Sequence, residues 1–329
     1  MNIAEIAKMA GVSSAAVSRY FNNGYISEEK KEAIRKVVEE TGYRPSVQAQ
    51  TLRTKKTKII GVILPRIDSA AMGSVVAGIL KELDQRGYRL LLADTQNNIV
   101  KELEYLSIFS EKQVDGIIFA ATVFTAKHKK ALKELKNPVV ILGQHLQGYP
   151  SIYHDDYHAT YDLTTTFIKK SRKKLGYVGV FEMDEAAGLE RRKGFIYAAA
   201  MAGLEGIEDR YEIANFNIQS GYEKAKALME KYPDTDGLIC ATDSIAVGAM
   251  KYLKEQGIQV PEQVMVAGHG DSDMSKVTTP QLTTVHFSYE NSGVLAAKLV
   301  LDLVAGKESD VKEIKLGYSL IEGESSEME

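Results

Sequence analysis

Apolar residues recur at helical spacing over residues 1–42 and then as short unbroken runs from residue 59 onward. Ile3, Ile6 and Ala7 mark an amphipathic helix ending near Ala10. Gly11 supplies a sharp turn, and Ser13 is placed to cap the next helix. That second helix is expected over 14–21. Ala16, Val17 and Tyr20 or Phe21 face inward, while Ser14, Ala15, Ser18 and Arg19 face outward. Ser27 is the expected cap of a third helix, which Ala33, Ile34, Val37 and Val38 carry to Thr41-Gly42. Lys30 stands where a full capping box needs Glu or Gln, but Glu28 and Glu29 suit the positive end of the helix. A helix, a tight turn and a helix braced by a third is a helix-turn-helix unit, although a plain three-helix bundle has the same periodicity. The small residues at the turn and the polar, Arg-bearing second helix favour DNA.

From residue 59 the apolar runs are those of buried parallel strands: 59–64, 90–93, 116–119, 139–142, 176–180, 237–241 and 264–267. Helical stretches at 75–86, 101–112, 159–170, 221–231 and 244–256 alternate with them, which predicts an α/β body. Ligands in such sheets bind beyond the carboxyl ends of the strands. The residues just past the strands are therefore the candidates: Arg66, Asp68 and Ser69; Gln96; Gln144; Arg191; Phe216; Thr242 and Asp243; and His269. Amides, carboxylates, arginine and an aromatic face are the groups that hold a sugar.

Charge sharpens the division between the two parts. Residues 1–58 carry 11 Lys and Arg against 6 Asp and Glu, whereas the remainder carries 30 against 38. A basic head on an acidic body steers the head toward phosphate. Cys240 is the only cysteine, so no intrachain disulfide can form. There is no apolar run of membrane length, and Met1–Glu5 does not begin a basic-then-apolar leader. The expected setting is a reducing cytoplasm, with no membrane partner.

The segments Ile6-Ala7-Lys8-Met9-Ala10-Gly11-Val12-Ser13, Val17-Ser18-Arg19, Asn22-Asn23 and Gly42-Tyr43-Arg44-Pro45 resemble the head of the LacI/GalR family of bacterial repressors. The resemblance continues through the chain. It implies an α-helical helix-turn-helix head and a hinge helix, with a two-lobed α/β body after them. That body is periplasmic-binding-protein-like, with two doubly wound parallel sheets and three crossings between lobes. The expected boundaries are 1–45 for the head and 46–58 for hinge and linker. The N-terminal lobe takes 59–155 plus 286–315, and the C-terminal lobe 156–285 plus 316–329. The implied DNA contacts are Ser14, Ala15, Ser18, Arg19 and Asn22, with Ala49 and Leu52 in the hinge. A hinge of two helical turns is too short to hold its shape alone, and a leucine there suits wedging into the minor groove. Arg19 suits a guanine edge.

The same resemblance places Arg191, Phe216, Thr242 and Asp243 at ligand-binding positions. Thr242 stands where the family has Asn, and Gly270 where many members have Asp, which argues against a lactose- or galactose-like effector. Arg66-Ile67-Asp68-Ser69, Arg191-Arg192 before Gly194, and Cys240-Ala241-Thr242-Asp243 with Lys251-Tyr252-Leu253 resemble repressors of trehalose and sucrose operons. The implied effector is a phosphorylated disaccharide, such as trehalose 6-phosphate or sucrose 6-phosphate, with Arg66 on the phosphate. The implied assembly is a homodimer on a pseudo-palindromic operator, without a C-terminal leucine heptad. Segments 72–83 and 247–252 are the expected dimer faces. Release of DNA on effector binding is expected, with corepression as the alternative.

Enzyme readings find little support. There is no GxSxG, no phosphate-binding loop and no complete dinucleotide fingerprint. His154 and His158 straddle a strand exit, and Asp271-Ser272-Asp273 lacks the later residues of a calcium loop, so no metal or cofactor is expected. A periplasmic sugar-binding protein would suit the body but not the fused head.

Overall fold

The computed structural model describes residues 1–22, 24–43, 56–111, 114–307 and 311–327, which divide into two compact units, 1–57 and 58–329. The first unit holds three helices, α1 (Ile3–Met9), α2 (Ser14–Phe21) and α3 (Glu28–Thr41). Ile6, Ala7, Ala16, Val17, Ile34 and Val37 form its buried core. Ser13 caps α2 by accepting the Ala16 N–H at 3.2 Å. Asn2 and Glu5 form a full capping box on α1 that the apolar pattern did not announce. Ser27 precedes α3 but makes no side-chain cap bond, so the two first-turn glutamates are left to support that end. Gly42 closes α3 in the left-handed region, φ 63°. The expected hinge, with Ala49 and Leu52, lies outside the described residues.

The second unit holds two six-stranded sheets. One has the order β11-β5-β4-β3-β1-β2, with β1 Ile59–Leu64, β2 Arg89–Asp94, β3 Gly116–Phe119, β4 Val139–Leu142, β5 Ser151–His154 and β11 Glu313–Leu316. The other has the order β12-β10-β9-β8-β6-β7, with β6 Leu175–Gly179, β7 Tyr211–Ile213, β8 Gly237–Cys240, β9 Met265–His269, β10 Thr283–Phe287 and β12 Tyr318–Ile321. The first sheet is parallel throughout. The second is not: β12 runs antiparallel to β10, because only Gly317 separates β11 from β12 and the chain enters the second sheet directly. The chain changes sheets after His154, after Phe287 and at Gly317. The second change falls later than 285–286 because β10 runs on to Phe287 before helix Tyr289–Val304 begins.

The inner strands β3, β4 and β8 are fully buried, and β1 is buried from Ile60 on, as their apolar runs require. Helix Ala70–Gln85 packs on helix Tyr289–Val304 with backbones nearly touching. A side chain added at Gly78 would lie 1.9 Å from the Glu290 carbonyl oxygen, and one at Gly293 would lie 2.1 Å from that of Val75. Both expected dimer faces are therefore partly used within the chain. Val75, Ile79 and Leu83 are buried here, as are Gly248, Ala249, Met250 and Tyr252 in the other lobe.

Candidate functional site

In the head, Ser14, Ala15, Arg19 and Asn22 are exposed and Ser18 is half-buried, while Ala16 and Val17 anchor the opposite side of α2. The helix thus presents one polar face with a guanidinium near its end. Asn22 caps that end, its amide donating to the Ser18 carbonyl. Tyr25 is 93% exposed just beyond α2, and no apolar period could have singled it out.

In the body, the carboxyl ends of the strands in both sheets face a cleft of about 160 Å³ that continues into a second hollow of about 550 Å³. Arg66, in the loop after β1, spans it. Nε and Nη2 donate to the two carboxylate oxygens of Asp68 at 2.9 and 3.0 Å, and Nη1 donates to the Phe216 carbonyl oxygen at 3.1 Å. The guanidinium lies 5.7 Å from the centre of the Phe216 ring, which in turn meets Phe181 edge-on. A residue of one sheet's loops is thereby bonded to a residue of the other's. Ser69 lines both hollows and caps helix Ala70–Gln85.

Deeper in the cleft, Arg191 is buried and its Nε donates to Asp156 Oδ1 at 2.7 Å. Nη1 donates to the Ala241 carbonyl, and the group stacks 5.0 Å over Phe287. Gly194 makes this possible. A Cβ there would meet the Tyr157 carbonyl oxygen at 2.2 Å, so its absence lets helix Arg191–Met201 lie against helix Asp156–Lys169. Asp184 is buried beside them and accepts the Ala187 N–H at 3.0 Å; burial pushes its carboxyl up to about 6.

Two buried polar atoms on the cleft wall, Gln144 Oε1 and His154 Nε2, have no protein partner among the described residues. Gln144 Nε2 donates to the Thr122 carbonyl, which fixes the amide. Burial holds the His154 ring below its usual range, so the ring is neutral near pH 7. Buried polar atoms left unpaired are costly, and a hydroxyl-bearing ligand would satisfy them.

Thr242 caps helix Asp243–Glu255 by accepting the Ile245 N–H, which gives its hydroxyl a role inside the protein. Asp243 is buried, accepting from Thr284 and from the Ser272 N–H at 2.7 Å; burial raises its carboxyl above the ordinary range. His269 is saturated as well. Its Nδ1 donates to the Cys240 carbonyl at 2.8 Å, and Nε2 takes the Thr160 hydroxyl at 2.9 Å. It therefore braces the wall rather than offering a ring nitrogen to a ligand. Gln96 departs further from expectation. It lies in a left-handed turn at φ 55° and bonds Lys101 at 3.1 Å, while its neighbour Asn97 lines the cleft. Sequence reasoning missed Asp184 and Tyr289 on the walls, and it did not select Asn97, His154 or Asp156 as effector contacts. The exit of β5 is expected between His154 and His158 but weighed only as a metal site, and its Ser-Ile-Tyr-His segment is no apolar run.

A model of the bacterial regulatory proteins of the lacI family matches residues 2–46, and one of a periplasmic binding protein-like domain matches 164–326. The sucrose operon repressor of Staphylococcus xylosus is 35% identical over 297 residues, 90% of this chain and 91% of its own. The HTH-type transcriptional regulator TreR of Salmonella typhimurium is 27% identical over 93% of this chain and 95% of its own. Among solved structures, a lac repressor dimer bound to operator aligns with TM-score 0.90 over 99% of each chain at 20% identity, which speaks for the fold. The chain belongs to the lacI family of bacterial regulatory proteins: a DNA-binding transcription regulator with a helix-turn-helix head and a two-sheet, mostly parallel α/β body, not an enzyme.

Proposed function

We propose that this protein is a homodimeric repressor of a carbohydrate-utilisation operon, acting in the bacterial cytoplasm and released from a pseudo-palindromic operator by a phosphorylated disaccharide. The observation that carries the reading is Arg66, which reaches from one lobe to the Phe216 carbonyl of the other over the cleft. Its fork suits phosphate. The first-turn N–H groups of helix Ala70–Gln85, which have no intrahelical acceptors, stand beside it. Gln144 Oε1 and His154 Nε2 suit sugar hydroxyls, and the Phe216 ring suits an apolar sugar face. The name of the sucrose operon repressor agrees with a disaccharide effector.

In this reading Ser14, Ala15, Ser18, Arg19 and Asn22 read the operator, and Ala49 and Leu52 grip the minor groove. The lobes follow the changes of sheet, 59–154 with 288–316 and 155–287 with 318–327, joined to head 1–45 by hinge 46–58. An effector bridging Arg66, Arg191 and Phe216 favours the closed lobe arrangement and so shifts the population away from the DNA-binding state. Calorimetry with trehalose, sucrose and their 6-phosphates tests the effector class: tighter binding of a phosphorylated form is expected, and equal binding of both forms contradicts the phosphate assignment.

A further inference from the structure

Every described cation lining the cleft has a carboxylate against it. Arg191 is paired with Asp156 at 2.7 Å. Lys276 lies 3.6 Å from Asp273 and 3.8 Å from Asp271, and Arg66 holds Asp68 through bonds of 2.9 and 3.0 Å. An anionic ligand gains little here until one carboxylate moves aside. The partners differ in how readily they can. Asp156 is buried under Arg191, Asp271 is tied to His286 at 2.9 Å, and Asp273, fully exposed, lies 3.6 Å from Lys276, so it blocks its cation less closely than Asp68 blocks Arg66. Asp68 has a side chain 71% exposed, in the loop between β1 and helix Ala70–Gln85, and both its oxygens engage Arg66. The guanidinium holds that carboxyl below its usual range.

Resting on the reading of Arg66 as the phosphate-binding residue, we propose that Asp68 is a built-in competitor, a tethered anion that the effector's phosphate must exchange for. Nε and Nη2, the two donors that Asp68 holds, form the edge on which a phosphate docks bidentately. Being part of the same loop, the Asp68 carboxylate faces Arg66 at an effective concentration on the order of millimolar or above. A free carboxylate carries no more charge than Asp68 and does not displace it. A phosphate monoester, with about −1.5 to −2 charges near neutral pH, does. The pair is thus a filter that admits sugar phosphates and turns away weaker anions. Exchange leaves Nη1 on the Phe216 carbonyl, so the bridge between lobes is kept while its anion changes.

The test is calorimetry of the full chain, wild type and Asp68→Asn, with trehalose 6-phosphate, sucrose 6-phosphate, the unphosphorylated sugars and acetate. In Asp68→Asn, affinity for the preferred sugar phosphate is expected to rise roughly two- to fivefold, the range that a partly exposed ion pair allows. Acetate should gain as well, and the neutral sugars should not change. The gain should vanish in the Arg66→Ala background. A wild type that prefers the phosphate, with an Asp68→Asn that binds it no better or less well, overturns the competitor role and leaves the phosphate assignment standing. A wild type with no preference overturns both.

Discussion

Arg191 and Asp156 form a 2.7 Å ion pair that is buried on both sides and lies in the wall of the cleft. Removing one partner strands the other charge away from water, which costs about 3–5 kcal/mol. Asp156→Ala is therefore expected to lower the stability of the body by that order. Urea unfolding monitored by circular dichroism measures it. A loss under about 1 kcal/mol, the level of an exposed pair, would show that water reaches the site.

Gly194 sets that pair. A methyl group at this position collides with the Tyr157 carbonyl oxygen, and relief requires the two helices to separate. Gly194→Ala should cost about 1–3 kcal/mol, the usual range for overpacking. It should also weaken effector binding, since Arg191 retreats from the cleft. Thermal unfolding together with calorimetry checks both effects, and a fully stable variant with normal binding would refute the link.

Asp184 predicts a pH dependence. Burial raises its carboxyl from 3.8 to about 6, so between those values the folded chain keeps a proton that the unfolded chain has lost. Stability from this group is present below about pH 4, falls as pH rises toward 6, and is level above that. The Asp184→Asn variant keeps an oxygen for the Ala187 N–H but loses the titration. The difference in urea midpoint between wild type and variant should change between about pH 4 and 6.5. A constant difference would mean that Asp184 ionises normally.

Arg19 and Ile34 separate contact from folding in the head. Arg19 is exposed, so Arg19→Ala should leave the melting of the head unchanged while costing about 1–3 kcal/mol of operator discrimination. Ile34 is fully buried, and Ile34→Ala should destabilise the head by about 2–5 kcal/mol. Mobility-shift titrations on operator and scrambled duplexes, run beside melting curves, distinguish the two. A head destabilised by Arg19→Ala would mean that this side chain supports the fold instead.

Much of this architecture was legible because burial has a period. The apolar runs marked β1, β3, β4 and β8 to within a residue, and the spacing of Ala16 and Val17 assigned the faces of α2. Strands with half-exposed or polar residues escaped: β7, β11 and β12 are short, and no unbroken apolar run marks them, while β5 was expected only by its exit. The exit beside His154 was expected, but nothing local said that Asp156 just past it partners the arginine that the sequence did single out. Strand-end logic found Arg66, Gln144 and Arg191, but it does not say which way a side chain turns. Gln96 turns away because of a left-handed backbone, and His269 is consumed by Cys240 and Thr160. Partners brought from distant segments have no local signature.

The central claim is that the cleft and the DNA-reading head are coupled through effector binding. The most direct test is the affinity of the full chain for its operator duplex at fixed salt, with and without saturating sugar 6-phosphate, in wild type and Arg66→Ala. Wild type should lose affinity by roughly 5- to 150-fold, the span of typical coupling energies, and Arg66→Ala should not respond. Unchanged or tighter operator binding in wild type would contradict release as the mechanism.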